Sequence, residues 1–167
     1  MAVQVARHLG ASQILAAGRD AQKLAKLPAL GATEVVTFDD PRLGPLASDV
    51  DVVLDFVWGE TTAQVMVPVI TARADRARPL SWIEIGSVAG PTAPIPSAAL
   101  RAARLVIMGS GIGSVPGRDI VAELPALVKE IVRGTFRIDA RAMPLSTVEQ
   151  AWTEAAHTSA RIVLTNP

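Results

Sequence analysis

The sequence contains no cysteine, which excludes disulfides, thiolate zinc sites and a cysteine nucleophile, and agrees with a reducing, cytoplasmic setting. It also lacks net charge, because 16 basic side chains balance 16 acidic ones. No global field favours nucleic acid or an anionic membrane as a partner. Apolar runs are short. None reaches the ~20 residues of a membrane span, and Met1 to Leu9 lacks the basic start and apolar stretch of a signal peptide. His8 and His157 stand far apart, in no metal-ligand spacing such as H-E-x-x-H. No G-x-S-x-G elbow is present, so a hydrolase triad has no support.

What is present is the material of a globular core. The chain has 167 residues, 50% of them hydrophobic and 19% charged, enough for one domain with a buried interior. Met1 to Leu9 reads as a helix already in progress, with no capping residue before it and Gly10 to end it. Short apolar runs then alternate with helical patterns. Strands are expected at Ile14 to Ala17, Glu34 to Phe38, Asp51 to Phe56, Leu80 to Ile85 and Leu105 to Met108, each halted by glycine or aspartate.

Between them, Asp20 is placed to cap a helix over Ala21 to Leu27, closed by Pro28 and Gly31. Gly59 opens a helix whose Ala63, Met66, Val67, Ile70 and Ala74 form one stripe, with a kink expected at Pro68. A helix from Asp119 to Arg133 carries Ile120, Leu124, Leu127, Val128 and Ile131 on one face and ends at Gly134. The tail reads as extended chain over Phe136 to Ala140, a capping box at Ser146 to Glu149 opening a helix to His157, and a last strand over Arg161 to Thr165. Alternating strands and helices with apolar strands predict an α/β fold: a doubly wound, Rossmann-like parallel sheet with right-handed crossovers, and a tail in another layer.

Ligands of such sheets bind beyond the carboxyl ends of the strands. Glycine occurs at four of the five strand ends, as Gly18, Gly59, Gly86 with Gly90, and Gly109 with Gly111. Backbone without a Cβ lets a flat ligand approach closely. Arg19 follows the strand beside which an adenosine ribose would lie, where arginine suits a 2′-phosphate and an acid would suit a 2′-hydroxyl. Asp20 is better placed as a cap, and Lys23 adds charge one turn on. The plain alternative for Arg19 is a solvated turn.

Gly109 to Ser114 imitates a Gly-rich fingerprint, but its third glycine would fall on Ser114 and no helix opens there, so it reads as a loop lining a site. Asp55 is expected to be a strand-end carboxylate held by backbone amides rather than a catalytic group. Trp58, Trp82 and Trp152 are expected to be structural, Trp58 alone lying near the ligand edge.

The order of these pieces resembles the medium-chain dehydrogenase/reductase superfamily, which includes zinc-type alcohol dehydrogenases and NADPH:quinone oxidoreductases. Met1 to Ala11 resembles the helix after the Gly-rich turn of that family. Gly18-Arg19 with Lys23-Leu24 and Leu30-Gly31-Ala32 resembles its next signature. Asp51 to Asp55 and Ile85-Gly86-Ser87 are similar to its fourth and fifth strands. Pro144-Leu145 through Glu149 and Ala151 to Arg161–Leu164 is similar to the segment returning to its catalytic domain.

The resemblance implies a truncated dinucleotide-binding domain over residues 1–135 and a returning segment over 136–167. It implies NADP(H) as cofactor and a quinone, enone or carbonyl as small-molecule substrate. Arg19 and Lys23, next to Gly18, would hold the 2′-phosphate, and Phe38 would flank the adenine. Phe56, Val57, Gly86, Ser87 and Val88 would line the path to the nicotinamide, with Gly109, Ser110 and Gly111 bordering its pocket. No side chain is assigned as acid, base or metal ligand, since such catalysis is largely hydride transfer between positioned partners.

The family's first strand and G-x-G-x-x-G turn would precede Met1. In the order 3-2-1-4-5-6, its absence leaves the second and fourth strands with open edges. Either Met1 lies inside a longer enzyme, or the sheet closes over the gap, or a second copy gives cover. A homodimer or higher oligomer is therefore expected, and a non-catalytic fragment that self-associates through sheet edges is the alternative function. A methyltransferase-like nucleotide fold is a further, weaker reading.

Overall fold

Five short apolar runs become parallel strands, since each is too short for a helix and is stopped by a residue that turns the chain. The computed structural model describes residues 1–158 and 160–166. Strand β1 (Leu15–Gly18) pairs with β2 (Glu34–Thr37), and β3 (Val52–Asp55) pairs with β4 (Leu80–Glu84), which pairs with β5 (Leu105–Gly109). All of these pairs are parallel. β6 (Ala140–Pro144) and β7 (Arg161–Thr165) form a third parallel pair.

The helices are α1 (Ala2–His8), α2 (Ala21–Leu24), α3 (Leu43–Leu46), α4 (Gly59–Ala72), α5 (Ser97–Ala102), α6 (Gly117–Val132) and α7 (Val148–Ala155).

The expected doubly wound sheet is therefore present as two separate parts. The order is β1-β2 in one sheet and β3-β4-β5 in another, so the sheet does not close over the gap between β1 and β3. One core nevertheless spans both. Val36 of β2, Leu43 and Ala47 around α3, Met66, Val69 and Ile70 of α4, and Leu80 and Trp82 of β4 pack as one buried cluster. A smaller cluster of Ala16, Leu24 and Ala32 sits on the other face of β1-β2, with Val3 of α1 against it.

Helix α4 shows how the stripe is set. Ala63, Met66 and Ile70 are buried as expected, but Val67 is 41% exposed and Thr62 and Val69 take the inward places. The buried stripe thus keeps Ala63, Met66 and Ile70 and adds Thr62 and Val69 in place of Val67, and Ala74 lies past the helix end. The helix runs unbroken through Pro68. A Cβ on Gly44 of α3 would come within 2.9 Å of the Pro68 carbonyl oxygen, so glycine is what lets the two helices approach this closely.

Other expectations shift. Asp20 caps α2 through Oδ1, which accepts from the amides of Gln22 (3.0 Å) and Lys23 (3.1 Å), though the helix stops at Leu24. The extended tail segment becomes a strand later, at Ala140–Pro144. No capping box forms at Ser146. A 3-10 turn over Leu145–Thr147 leads into α7, and the Thr147 hydroxyl donates backwards to the Pro144 carbonyl at 2.9 Å. α6 opens at Gly117, two residues earlier than expected, and ends at Gly134 with φ +72°. No helix among the described residues is long and apolar enough to cross a membrane.

Candidate functional site

The tips of β3, β4 and β5 are tied together by backbone hydrogen bonds. The Ile85 amide donates to the Asp55 carbonyl at 2.7 Å, the Ser110 amide to the Glu84 carbonyl at 2.7 Å, and the Ala89 amide to the Val57 carbonyl at 2.8 Å. Phe56, Val57, Gly86, Ser87, Val88, Gly109 and Ser110 thus share one rim. Phe56 and Val88 are 44% and 81% exposed there. The rim is narrow where the loops cross. A Cβ on Gly86 would stand 3.2 Å from the Phe56 carbonyl oxygen, and one on Gly59 would stand 2.9 Å from that of Ala89. Around Gly109 and Gly111 a Cβ would meet open space, and Gly111 is pinned to Ser114, whose hydroxyl both accepts from its amide (2.8 Å) and donates to its carbonyl (2.9 Å).

Asp55 holds this rim from beneath. It is 6% exposed at the end of β3. One carboxylate oxygen accepts from the Val57 and Trp58 amides at 2.8 and 2.9 Å, fixing the turn out of the strand. The other accepts from the Thr62 hydroxyl at 2.6 Å and the Trp82 indole N–H at 2.9 Å. Burial pushes its pKa up. The donations from Thr62, the Trp58 amide, Trp82 and the Val57 amide outweigh that and leave it below the ordinary aspartate value.

This charge-assisted cluster accounts for Trp58, the one described non-glycine residue with positive φ (51°). The amide bonds were foreseeable from a strand-end aspartate. Thr62 and Trp82 were not, because they arrive from α4 and β4.

The tips of β1 and β2 form a second group. The Phe38 amide donates to the Gly18 carbonyl at 3.2 Å. Arg19 is exposed and, among the described residues, its side chain makes no hydrogen bond or ion pair. Lys23 stands 3.8 Å from the Asp20 carboxylate, with both side chains largely exposed, a contact worth little in water. Phe38 is half-buried and packs against the large core cluster, so only part of its ring faces outward. No hydrogen bond among the described residues links this group to the β3–β5 rim.

Of the tryptophans, Trp82 is 1% exposed and structural, whereas Trp152 is 82% exposed and belongs to no core. No group of three or more His, Asp or Glu among the described residues could hold a metal ion. The strand tips thus present the exposed Arg19 guanidinium, glycine backbone, and the exposed side chains of Phe56 and Val88.

No family model matches the chain. A curated relative, a probable NADPH-dependent quinone reductase (tdiC) of Emericella nidulans, is 27% identical over 182 residues, covering 98% of this chain and 49% of the relative. A mycobacterial quinone oxidoreductase structure superposes with a TM-score of 0.77 at 21% identity, over 97% of this chain and 51% of that one. The Escherichia coli quinone oxidoreductase complexed with NADPH gives 0.73 at 20% identity, over 98% and 52%.

The fold is thus the α/β fold of about half of each of these quinone oxidoreductase structures. The chain is similar in sequence to a quinone reductase and in fold to quinone oxidoreductases, in line with the resemblance read from the motifs. The chain spans about half the length of the relatives it matches.

Proposed function

We propose that this chain is the NADP(H)-binding part of an oxidoreductase that acts on a quinone, enone or carbonyl compound. The carrying observation is Arg19, an exposed guanidinium without a partner at the tip of β1, where a cationic fork suits a 2′-phosphate. The β3–β5 rim supports the reading through its glycines and exposed Phe56 and Val88, which suit the dinucleotide's apolar rings. Arg19 and Lys23, beside Gly18, hold the 2′-phosphate. Phe38 gives the adenine a partial flank. Phe56, Val57, Gly86, Ser87 and Val88 line the path to the nicotinamide, and Gly109, Ser110 and Gly111 border it. The bound cofactor supplies a hydride; the chain's own part is to orient it and exclude water.

In this reading residues 1–135 are the dinucleotide domain and 136–167, with the separate β6-β7 pair, serve a catalytic domain. The absence of cysteine fits the cytoplasm, and the balanced charge fits a small-molecule partner rather than nucleic acid. A second reading, an assembling module without turnover, is favoured by the unpaired edges of β1 and β3.

Titration of NADPH fluorescence separates the two. The first reading expects saturable binding that Arg19→Ala weakens about tenfold or more while NADH binding barely changes. No saturation at millimolar cofactor favours the second.

A further inference from the structure

The chain beyond α6 folds on itself. α7 lies against β6 and β7, and the buried Met143 and Ala151 belong to neither core cluster. The polar tie of this tail to the rest is one side chain. Gln4 of α1 is 8% exposed. Its Oε1 accepts from the Arg137 amide at 2.8 Å, and its Nε2 donates to the Arg137 carbonyl at 2.9 Å. Among the described residues, no other hydrogen bond or ion pair joins residues 136–166 to residues 1–133.

A helix spends its interior N–H and C=O groups along its own axis, so α1 cannot pair with an extended segment through its backbone. The Gln4 carboxamide does so instead. It holds a donor and an acceptor on one rigid group and takes both backbone groups of one residue, as paired antiparallel strands do. His8, one turn on and on the same face, makes an edge contact with Phe136, the ring centroids 5.7 Å apart. α1 is itself seated on the β1-β2 pair. Val3 packs on Ala16, Leu24 and Ala32, and the Arg7 stem covers Gly31, where a Cβ would come within 2.6 Å of the Arg7 Cδ. At the near end of the strap, the Thr135 hydroxyl donates to Glu130 of α6 at 2.7 Å. Residues 135–137 therefore cross from α6 to α1 and hand the tail to the half of the fold that carries Arg19.

We propose that Gln4 is a positioning residue: its carboxamide latches the tail to the β1-β2 pair and sets the orientation of residues 136–166 relative to the strand tips. Any consequence for turnover rests on the dinucleotide reading, in which the tail serves a catalytic domain; the latch itself does not. Because the latch uses the backbone of residue 137, the Arg137 side chain is dispensable to it.

Pulsed electron paramagnetic resonance tests this without cofactor, so its outcome is independent of whether a dinucleotide binds. The absence of cysteine lets spin labels sit at the exposed Lys26→Cys, just after α2, and Trp152→Cys of α7. Lys26→Cys with Gln64→Cys of α4 is the pair that does not cross the latch. Gln4→Met, which keeps the side-chain length and loses both bonds, turns one narrow distance between positions 26 and 152 into a broad distribution. The distance between positions 26 and 64 stays narrow. Exchange of the residue 137 amide hydrogen quickens about tenfold or more in the same variant. Arg137→Ala, which keeps both backbone groups, leaves both distances as in the parent. Arg137→Pro, which deletes the latched N–H without touching α1, repeats the Gln4→Met result and carries the test if that variant does not fold. An unchanged distance between positions 26 and 152 in the latch variants overturns the proposal. So does equal broadening of both pairs, the mark of ordinary packing loss, or broadening by Arg137→Ala.

Discussion

Asp55 is the residue on which the rim rests, and its behaviour with pH follows from its surroundings. Its folded pKa lies below the ordinary value of 3.8, so its contribution is fully present above that value and is lost as the pH falls through the folded pKa. Urea melts taken between neutral pH and strong acid therefore show stability falling below about pH 3.8, and an Asp55→Asn variant shows a smaller fall. At neutral pH, Asp55→Ala leaves the Thr62 hydroxyl and the Trp82 N–H buried without an acceptor, costing about 3 kcal/mol in denaturant titration. The exposure of Arg19 was legible from its place in a turn after a strand, and its proposed ligand role rests on that place and on the lack of a hydrogen bond or ion pair to its side chain among the described residues. Lys23 was harder to read. Sequence spacing gave it a phosphate, whereas Asp20, capping the same helix, is within ion-pair distance.

At the scale of elements, strands were legible, as was the capped start of α2, and the short helices α3 and α5 were not. The five apolar runs of the sheet each appear within two residues of their expected ends, because periodicity and glycine stops are local signals. α3 and α5 are four and six residues long, the first containing Pro45 and the second preceded by Pro96, and too short to carry a period. In α4 three expected positions, Ala63, Met66 and Ile70, are buried, while Thr62, bonded to Asp55, and Val69 are buried where Val67 was expected; the Thr62 contact is tertiary and leaves no local signal. The capping box at Ser146 does not form because the chain turns as a 3-10 helix over Leu145–Thr147, so α7 starts after Thr147 rather than after Ser146.

The start of α4 carries a sharp test. Gly59 has φ +70° and faces the Ala89 carbonyl, so Gly59→Ala strains the backbone and destabilises by roughly 1–3 kcal/mol. In the core beneath, Trp82→Ala costs about 3–5 kcal/mol. Thermal melts read both.

For the molecule as a whole, the parallel topology and the open edges of the second and fourth strands were legible, and of the three outcomes weighed the division into separate sheets contradicts closure over the gap. Strand composition reports that a sheet is buried; it does not report which edges find partners. The core spanning α3 and α4 joins the two sheets without backbone pairing, and the charge-neutral chain keeps large apolar areas outside.

The central claim is that the strand tips together receive a phosphorylated dinucleotide. Amide chemical-shift mapping with NADPH tests it most directly. The account predicts saturable shifts at Gly18, Arg19, Gly86, Ser87 and Gly109, and little change in the cleft of about 630 Å³ lined by Gln4, Arg7, His8 and Arg137. Shifts confined to that cleft, or none at saturating cofactor, would contradict it.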